Sequence, residues 1–254
     1  MSVRAKLLRI YWKMEKAIVP GLPSAGDMYE QALEARLAPQ HRWVDLGCGH
    51  QVFAPWRVDA EKSLIGRCRL VVGIDPDLGA LRTHQSIRVR VAGDIGRLPF
   101  ADQSFDVASA NMVVEHLASP GLQFREIGRI LKPGGWFVFH TPNVHGYATL
   151  LARMIPERAK PRLIHWLEGR KASDVFPAFY RANSDAAVRR WAEEAGFETV
   201  EISMAFSAAQ FALVPPLAFL ELIVMRGLMW EALRGLRGNM VAVLRKRGPT
   251  ANLR

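Results

Sequence analysis

The stretch Val44–His50, which reads VDLGCGH, decides the fold class of this 254-residue chain. An apolar start leads to the acid Asp45 and then to a turn that contains Gly47 and Gly49. Glycine permits a tight turn and a close approach of the backbone to a ligand. The free amide groups at the start of a following helix attract anionic groups. A Gly-x-Gly turn alone is a weak signal, so the rest of the chain decides its interpretation.

Further apolar runs of strand length follow this turn, and several of them end in a polar residue. They are Leu70–Asp75, Val91–Ile95, Phe105–Asn111 and Gly135–His140. A helical stretch at 123–131 separates the last two, and this alternation predicts a parallel α/β sheet. Ligands of such sheets bind at the carboxyl ends of the strands, where an acid after the second strand accepts hydrogen bonds from ribose. The polar residues at these ends are Asp45, Asp75, Asp94 and Asn111.

Five ordered motifs resemble those of the class I S-adenosylmethionine-dependent methyltransferases. They are Asp45–Gly49, Gly73–Asp75, Gly93-Asp94 with Leu98–Phe100 and Ser104–Asp106, Leu131–Gly135, and Glu194–Phe197. The resemblance covers residues 42–142 and 184–204. It implies a Rossmann-like, seven-stranded, mostly parallel α/β sheet with an antiparallel last strand, with helices on both faces and helical insertions. It also implies S-adenosyl-L-methionine as the cofactor.

The turn departs from the family pattern at one position. Many members carry a third glycine two residues after the second, where this chain has Gln51. A dinucleotide fingerprint, Gly-x-Gly-x-x-Gly, would need glycine in place of Val52. A nicotinamide-dependent dehydrogenase is therefore the weaker interpretation.

The resemblance predicts a single methyltransferase domain over residues 1–254. Its expected parts are N-terminal helices at 1–40, a cofactor-binding core at 41–142, an acceptor-side insertion at 143–183, and the last helix and strands at 184–254 with an apolar insertion at 205–238. Strands six and seven are expected at 197–204 and 239–245. Long insertions in compact domains are usually functional, which favours an acceptor pocket built from 143–183.

The chain has a formal net charge of +10, and the segments outside the family core carry the excess. A basic balance suits a nucleic acid, an anionic membrane or an acidic substrate. The two cysteines, Cys48 and Cys68, form no disulfide framework and no metal-ligand spacing. Residues 1–20 lack the uninterrupted apolar core of a secretory signal. These features favour a cytoplasmic location and no metal.

Two of the outer segments suggest contact with lipid. Residues 1–20 predict a basic amphipathic helix, which either packs across the domain or lies in a membrane interface. Residues 205–220 contain no charge, but Pro215 and Pro216 interrupt the run, and the flanking strands must return to one sheet. A single membrane crossing is therefore excluded, and an interfacial hairpin, a lid, a dimer interface or an extra core layer remain. Arg226, Arg234 and Arg237 suit an anionic surface.

The resemblance assigns roles to residues by position. The expected cofactor-binding residues are Asp45, Gly47, Cys48, Gly49, Asp75, Pro76, Asp94, Ile95 and Asn111. In this assignment Asp75 accepts from the ribose, and Asp94 and Ile95 border the adenine. The candidate catalytic residues are His116, His140 and Tyr180. A hydroxyl acceptor needs a base, and the histidines that could supply it are His116, His140 and also His145. His116 has an alternative role in packing the cofactor pocket.

The predicted reaction is methyl transfer to a small molecule. The apolar outer segments favour a lipophilic acceptor, such as a quinone precursor, a lipid or a lipid-linked sugar, presented at the inner face of the membrane. The resemblance is to the ubiquinone and menaquinone biosynthesis branch. Methylation of a soluble natural product or sugar is the alternative. RNA methylation is weaker, because Asn111–Val114 lacks the Pro-Pro-aromatic sequence of base-methylating enzymes and no RNA-binding module is evident. A non-catalytic cofactor-binding protein and a homodimer are further alternatives.

Overall fold

The computed structural model describes residues 3–154 and 177–248. Residues 155–176 of the predicted insertion at 143–183 therefore lie outside the described residues.

Seven strands form one mixed sheet in the order β3-β2-β1-β4-β5-β7-β6, with the last strand antiparallel. The strands are β1 Arg42–Leu46, β2 Leu70–Asp75, β3 Val89–Ala92, β4 Phe105–Asn111, β5 Leu131–Pro142, β6 Phe197–Ala205 and β7 Asn239–Lys246. Strands β1 to β5 pair in parallel. The predicted seven-stranded, mostly parallel sheet is confirmed.

Eight α-helices lie within 3–154 and 177–248. They are α1 Val3–Ile18, α2 Ala25–Glu34, α3 Val58–Arg67, α4 Leu78–Thr83, α5 Pro120–Ile130, α6 Tyr147–Met154, α7 Asp185–Glu194 and α8 Pro215–Leu228. The predicted helix at 123–131 corresponds to α5, which begins three residues earlier because Pro120 suits the first turn of a helix.

The burial of each strand follows its place in the sheet. Strand β1 lies between β2 and β4 and is buried along nearly its whole length. Strand β3 is an edge strand, so its side chains are largely exposed, and it begins at Val89 rather than at the predicted Val91. The buried centre of the sheet thus lies around β1, β2 and β4, whose carboxyl ends carry the candidate site.

The chain divides into two compact units. The larger unit comprises 26–141, 178–203 and the described part of 240–254, and its core includes Trp43, Val107 and Val138. The smaller unit comprises the described parts of Met1–Ala25, Pro142–Pro177 and Met204–Asn239. Every predicted cofactor-binding and catalytic residue except His145 belongs to the larger unit. The N-terminal helix and the apolar insertion belong mostly to the smaller one.

Helix α1 is amphipathic, but its buried face is narrower than its apolar residues predict. Tyr11 is fully buried, whereas Val3 and Ile10 are exposed. The Tyr11 hydroxyl donates to Glu15 and accepts from the Ala209 amide at 2.9 Å, which fixes that side of the helix inward. Because Ile10 lies about 100° from Tyr11 around the helix, it is turned to solvent.

The connection from β6 to β7 consists of α8 and a 3₁₀ segment, Glu231–Leu236. Arg237 is buried, and its guanidinium donates to the carbonyl oxygens of Leu228, Met204 and Met229. The expectation that Arg237 faces an anionic surface is therefore wrong, because these carbonyl groups hold it inside. No helix among residues 3–154 and 177–248 is long and apolar enough to cross a membrane.

Candidate functional site

The turn after β1 is held against the end of β2. The amide groups of Gly47 and Cys48 donate to the Ile74 carbonyl oxygen at 2.7 and 3.1 Å. Gly47 and Gly49 both have positive φ angles, 64° and 51°. A Cβ on Gly47 would lie 2.5 Å from Cγ2 of Val113, whereas one on Gly49 would meet nothing within 4 Å. Both positions favour glycine because of their positive φ angles. A side chain at Gly47 would also clash with Val113, whereas Gly49 borders open space.

Asp75 joins three segments at the end of β2. Its carboxylate accepts from the Gly49 amide and from the Asp77 amide, both at 2.8 Å. Its backbone oxygen accepts from the Gly93 amide at 3.2 Å. The side chain is 8% exposed, and each carboxylate oxygen still has a second lone-pair direction. Asp75 could therefore accept further hydrogen bonds from a bound diol at a position fixed by two amides.

Asp45 lies buried beneath the same turn. The Ser109 hydroxyl donates to its carboxyl group, and the Trp43 indole nitrogen donates to that hydroxyl oxygen at 2.7 Å. Burial raises the pKa of Asp45 to about 8, since the charged form loses hydration and Glu61 and Asp75 add repulsion. Asp45 therefore holds a proton in the folded state near neutral pH, with its carboxyl group bonded to Ser109 of β4.

The raised pKa of Asp45 predicts a pH dependence of stability. The unfolded carboxyl group releases its proton near pH 4, whereas the folded group keeps it to about pH 8. The free energy of unfolding therefore falls as the pH rises between these values. The variant Asp45→Asn should lack this component in denaturant unfolding measured from pH 5 to pH 8. Parallel curves for the two proteins would contradict the assignment.

The loop after β3 contains Asp94 and Ile95 and is held from α5. The Asp94 carboxylate accepts from the Gly96 amide within the loop. Glu126 accepts from the Leu98 amide at 3.0 Å, and Arg129 donates to the carbonyl oxygen of Leu98 at 2.9 Å. Glu126 and Arg129 also pair with each other, which lowers the pKa of the Glu126 carboxyl. The pair fixes the loop that borders the open end of β2.

A hydrogen-bonded chain joins the ends of β4 and β5 to the turn after β1. The Asn111 amide nitrogen donates to the Val52 carbonyl oxygen at 2.8 Å, and its amide oxygen lies 2.8 Å from Nδ1 of His140. A carbonyl can only accept, so this contact sets the orientation of the amide. His140 must then donate from Nδ1, and the neutral ring carries its lone pair on Nε2. The arrangement selects one tautomer of His140.

A second buried network supports the segment that contains Tyr180. Thr141 donates to Glu115 at 2.8 Å and accepts from Asn183 at 2.7 Å. Burial raises the pKa of Glu115. The Glu115 carbonyl oxygen accepts from the amides of Phe179 and Tyr180 at 2.7 and 3.1 Å. The network thus positions Tyr180 through its backbone.

The structure brings some predicted residues together and separates others. Gly49 bonds directly to Asp75, and Asn111 bonds directly to His140. The side chain of Cys48 is buried, and its sulfur lies 2.7 Å from where a Cβ on Gly73 would be. Only the backbone of Cys48 therefore lies at the turn. Pro76, Asp94, Ile95 and Tyr180 lie in loops of the same unit, and His116 ends the 3₁₀ segment Val114–His116 of that unit.

Several supporting residues are absent from the prediction. Glu61 is buried on α3 and accepts from the amides of Val52 and Phe53, both at 2.9 Å. No local pattern marks this glutamate as different from its exposed neighbours. Glu126 and Arg129 do carry a signal, since charges three positions apart on a helix pair with each other. His116 Nε2 lies 3.9 Å from the Glu115 carboxylate, and this contact was likewise not predicted.

The family model described as "Methyltransferase domain" matches residues 24–202. The chain is 35% identical over 144 residues to the demethylmenaquinone methyltransferase of Corynebacterium kroppenstedtii, which covers 52% of this chain and 59% of that protein. It is 32% identical over 120 residues to the malonyl-[acyl-carrier protein] O-methyltransferase of Legionella pneumophila, covering 45% and 40%. The matched region thus spans less than two thirds of either relative.

Solved structures share the fold at lower sequence identity. A possible histamine N-methyltransferase from Thermotoga maritima has a TM-score of 0.54 and 17% identity, over 86% of this chain and 87% of that one. The [4+2]-cyclase SpnF has a TM-score of 0.55 and 17% identity, over 87% and 81%. At these identities the likeness establishes the architecture alone.

Proposed function

The chain belongs to the class I S-adenosylmethionine-dependent methyltransferases, and from that premise we propose that it transfers a methyl group from S-adenosyl-L-methionine to a lipophilic small molecule. The observation that carries this proposal is the geometry of Asp75. Two backbone amides hold its carboxylate next to the glycine turn, and the space beside Gly49 is open. These features fit a nucleoside whose ribose bonds to the acid while the rest crosses the glycine turn.

We assign the cofactor contacts to the ends of the first four strands. Gly47, Gly49 and the backbone of Cys48 would approach the methionine part, with Asp45 supporting them from below. Asp75 and Pro76 would contact the ribose. Asp94 and Ile95 are assigned to the adenine side. Asn111 is assigned to the methionine end.

The chemistry of the reaction places modest demands on the protein. The bound cofactor supplies a methyl carbon that positive sulfur already activates. The protein must align the acceptor and exclude water, and it must remove a proton when the acceptor is a hydroxyl group. We propose that His140 removes this proton, because Asn111 selects the tautomer whose Nε2 accepts. His116 is the second candidate, and Tyr180 is proposed to contact the acceptor.

Variants of the two histidines test this assignment. Loss of a general base costs about 10² to 10⁴ in rate, so His140→Ala should lower kcat by about a hundredfold while the affinity for S-adenosylhomocysteine stays unchanged. Asn111→Ala should lower kcat less, and the double variant should lose no more than His140→Ala alone. A wild-type kcat for His140→Ala, with a large loss for His116→Ala, would transfer the role to His116.

The acceptor class rests on the relatives and on the outer segments. The relatives are named for demethylmenaquinone and for malonyl-[acyl-carrier protein]. The smaller unit exposes large apolar side chains on α8. We therefore propose a lipophilic acceptor, such as a quinone precursor, and a cytoplasmic chain that contacts the inner face of the membrane peripherally through 1–20 and 205–238. The alternative is that the same apolar segments form the interface of a homodimer.

The proposed reaction is tested by transfer of a labelled methyl group. The purified chain is incubated with methyl-labelled S-adenosylmethionine and, in parallel, with demethylmenaquinone, malonyl-acyl carrier protein and an unmodified RNA. Label in the quinone extract supports the proposal. Label on RNA alone would favour the competing nucleic-acid function, and cofactor binding without transfer to any acceptor would favour a non-catalytic role.

A further inference from the structure

Helix α8 carries apolar side chains on both of its faces. Its inner face, formed by Ala218, Leu222, Met225 and Leu228, is buried in the core of the smaller unit. Glu221 is also buried, and its carboxylate accepts from the Tyr147 hydroxyl and from the amides of 210 and 211 at 2.8 to 3.0 Å. These contacts hold α8 in place within the smaller unit.

The outer face of α8 is exposed although it is apolar. Its side chains are between 42% and 60% exposed, and they are Leu217, Phe219, Leu220, Ile223 and Val224. The 3₁₀ segment that follows adds Leu233 and Leu236, and Trp230 before it is 74% exposed. Scattered single apolar residues on a surface are ordinary, whereas a contiguous set marks an interaction surface. Tryptophan is typical of the boundary between lipid and water.

The helix that packs against α8 is basic. On α1 the exposed charged side chains are Arg4, Lys6, Arg9, Lys13 and Lys16, and the single acid, Glu15, is hydrogen-bonded to Tyr11. The same helix exposes Ile10 and Trp12. Exposed apolar side chains next to clustered lysine and arginine are the pattern of a segment that lies in the interface of an anionic membrane.

We propose that the outer face of α8, with Trp230 and the basic side of α1, docks on the surface of an anionic lipid bilayer. A second copy of the chain is the weaker occupant. A two-fold dimer places each patch against itself, so the five cations of one α1 would come close to those of the other. All of this surface lies outside the residues that match the methyltransferase family model, 24–202.

The inference rests on the proposed function only for the reason to approach a membrane, because a lipophilic acceptor is found there. Docking itself can be measured without cofactor or acceptor. Binding to vesicles without methyl transfer would leave the docking surface standing and remove the proposed reaction. Methyl transfer to a detergent-dispersed acceptor without binding to vesicles would support the proposed reaction and remove the docking surface.

The test is flotation of the full chain with vesicles of phosphatidylcholine, with and without phosphatidylglycerol, at low and high salt. The wild type should float with the anionic vesicles and much less with the neutral ones. The variant Leu220→Glu/Ile223→Glu should lose about tenfold or more of its binding at either salt concentration, because charge is costly in the apolar layer. The variant Arg9→Glu/Lys13→Glu should lose the preference for anionic lipid.

A matched control distinguishes docking from general damage. Val200 on β6 is 45% exposed and belongs to the other unit, so Val200→Glu should float like the wild type. All variants should keep the wild-type affinity for S-adenosylhomocysteine. Equal flotation of the wild type and Leu220→Glu/Ile223→Glu would overturn the proposal. So would light scattering that shows a wild-type dimer which this variant converts to a monomer, since a second copy would then be the occupant.

Discussion

Substitution of Asp75 by alanine is expected to lower the affinity for S-adenosylhomocysteine by about a hundredfold or more. Hydrogen bonds to a charged group contribute about 1.5 to 3 kcal/mol each, and a ribose diol would make two of them. The substitution also removes the acceptor that fixes the Gly49 and Asp77 amides at 2.8 Å. Both losses act on the same bound molecule, which makes this the largest effect expected from a single side chain.

Titration calorimetry measures this effect directly. Asp185→Ala is the matched control, because the side chain of this acid is 43% exposed at the start of α7 and pairs with Arg189 of the same helix. Its affinity should equal that of the wild type. Thermal unfolding of Asp75→Ala should show a folded protein, so that lost binding is not lost structure. Unchanged affinity in a folded Asp75→Ala variant would mean that the cofactor site lies elsewhere.

The second large effect is expected from alanine at the two glycines of the turn. Each variant puts a Cβ on a residue with positive φ, which costs about 1 to 2 kcal/mol. At Gly47 the new Cβ also meets Val113 at 2.5 Å, and overpacking adds about 1 to 3 kcal/mol. Gly47→Ala should therefore be clearly less stable than Gly49→Ala.

For the affinity for S-adenosylhomocysteine the two variants should rank in the opposite order, with the larger loss in Gly49→Ala. Gly49 faces open space, so a Cβ there occupies the volume assigned to the cofactor. Gly49→Ala should remain folded and yet lose about tenfold or more in affinity for S-adenosylhomocysteine. Denaturant unfolding and calorimetry on the pair give both quantities. A Gly49→Ala variant with wild-type affinity would show that the cofactor does not approach the turn at this residue.

The sequence predicted the sheet because its signals are local. Each strand is a short apolar run, and Asp45, Asp75 and Asn111 stand at or next to the carboxyl ends of their strands. The direct bond between Gly49 and Asp75 agrees with this placement, since parallel neighbours bring their carboxyl ends to one edge of the sheet. Periodicity and turn chemistry were sufficient for this part.

The supports of the site could not be predicted, because they depend on tertiary contacts. Glu61 becomes a ligand of two backbone amides only when α3 packs beside the turn. The Glu115–Thr141–Asn183 network joins residues up to 68 positions apart in the chain. Arg237 was expected at a surface, and its burial depends on three carbonyl groups from two segments, Met204 and Leu228-Met229. When the role of a side chain depends on partners distant in the chain, the sequence around it gives no signal of that role.

The central claim, that the turn at Asp45–His50 binds S-adenosylmethionine and not a dinucleotide, is tested most directly by calorimetric titration of the wild-type chain. S-adenosylhomocysteine and NAD are titrated separately under the same conditions. The account predicts saturable one-to-one binding of S-adenosylhomocysteine and no binding of NAD, consistent with Gln51 and Val52 where a dinucleotide turn continues to a third glycine. Binding of NAD without binding of S-adenosylhomocysteine would contradict it.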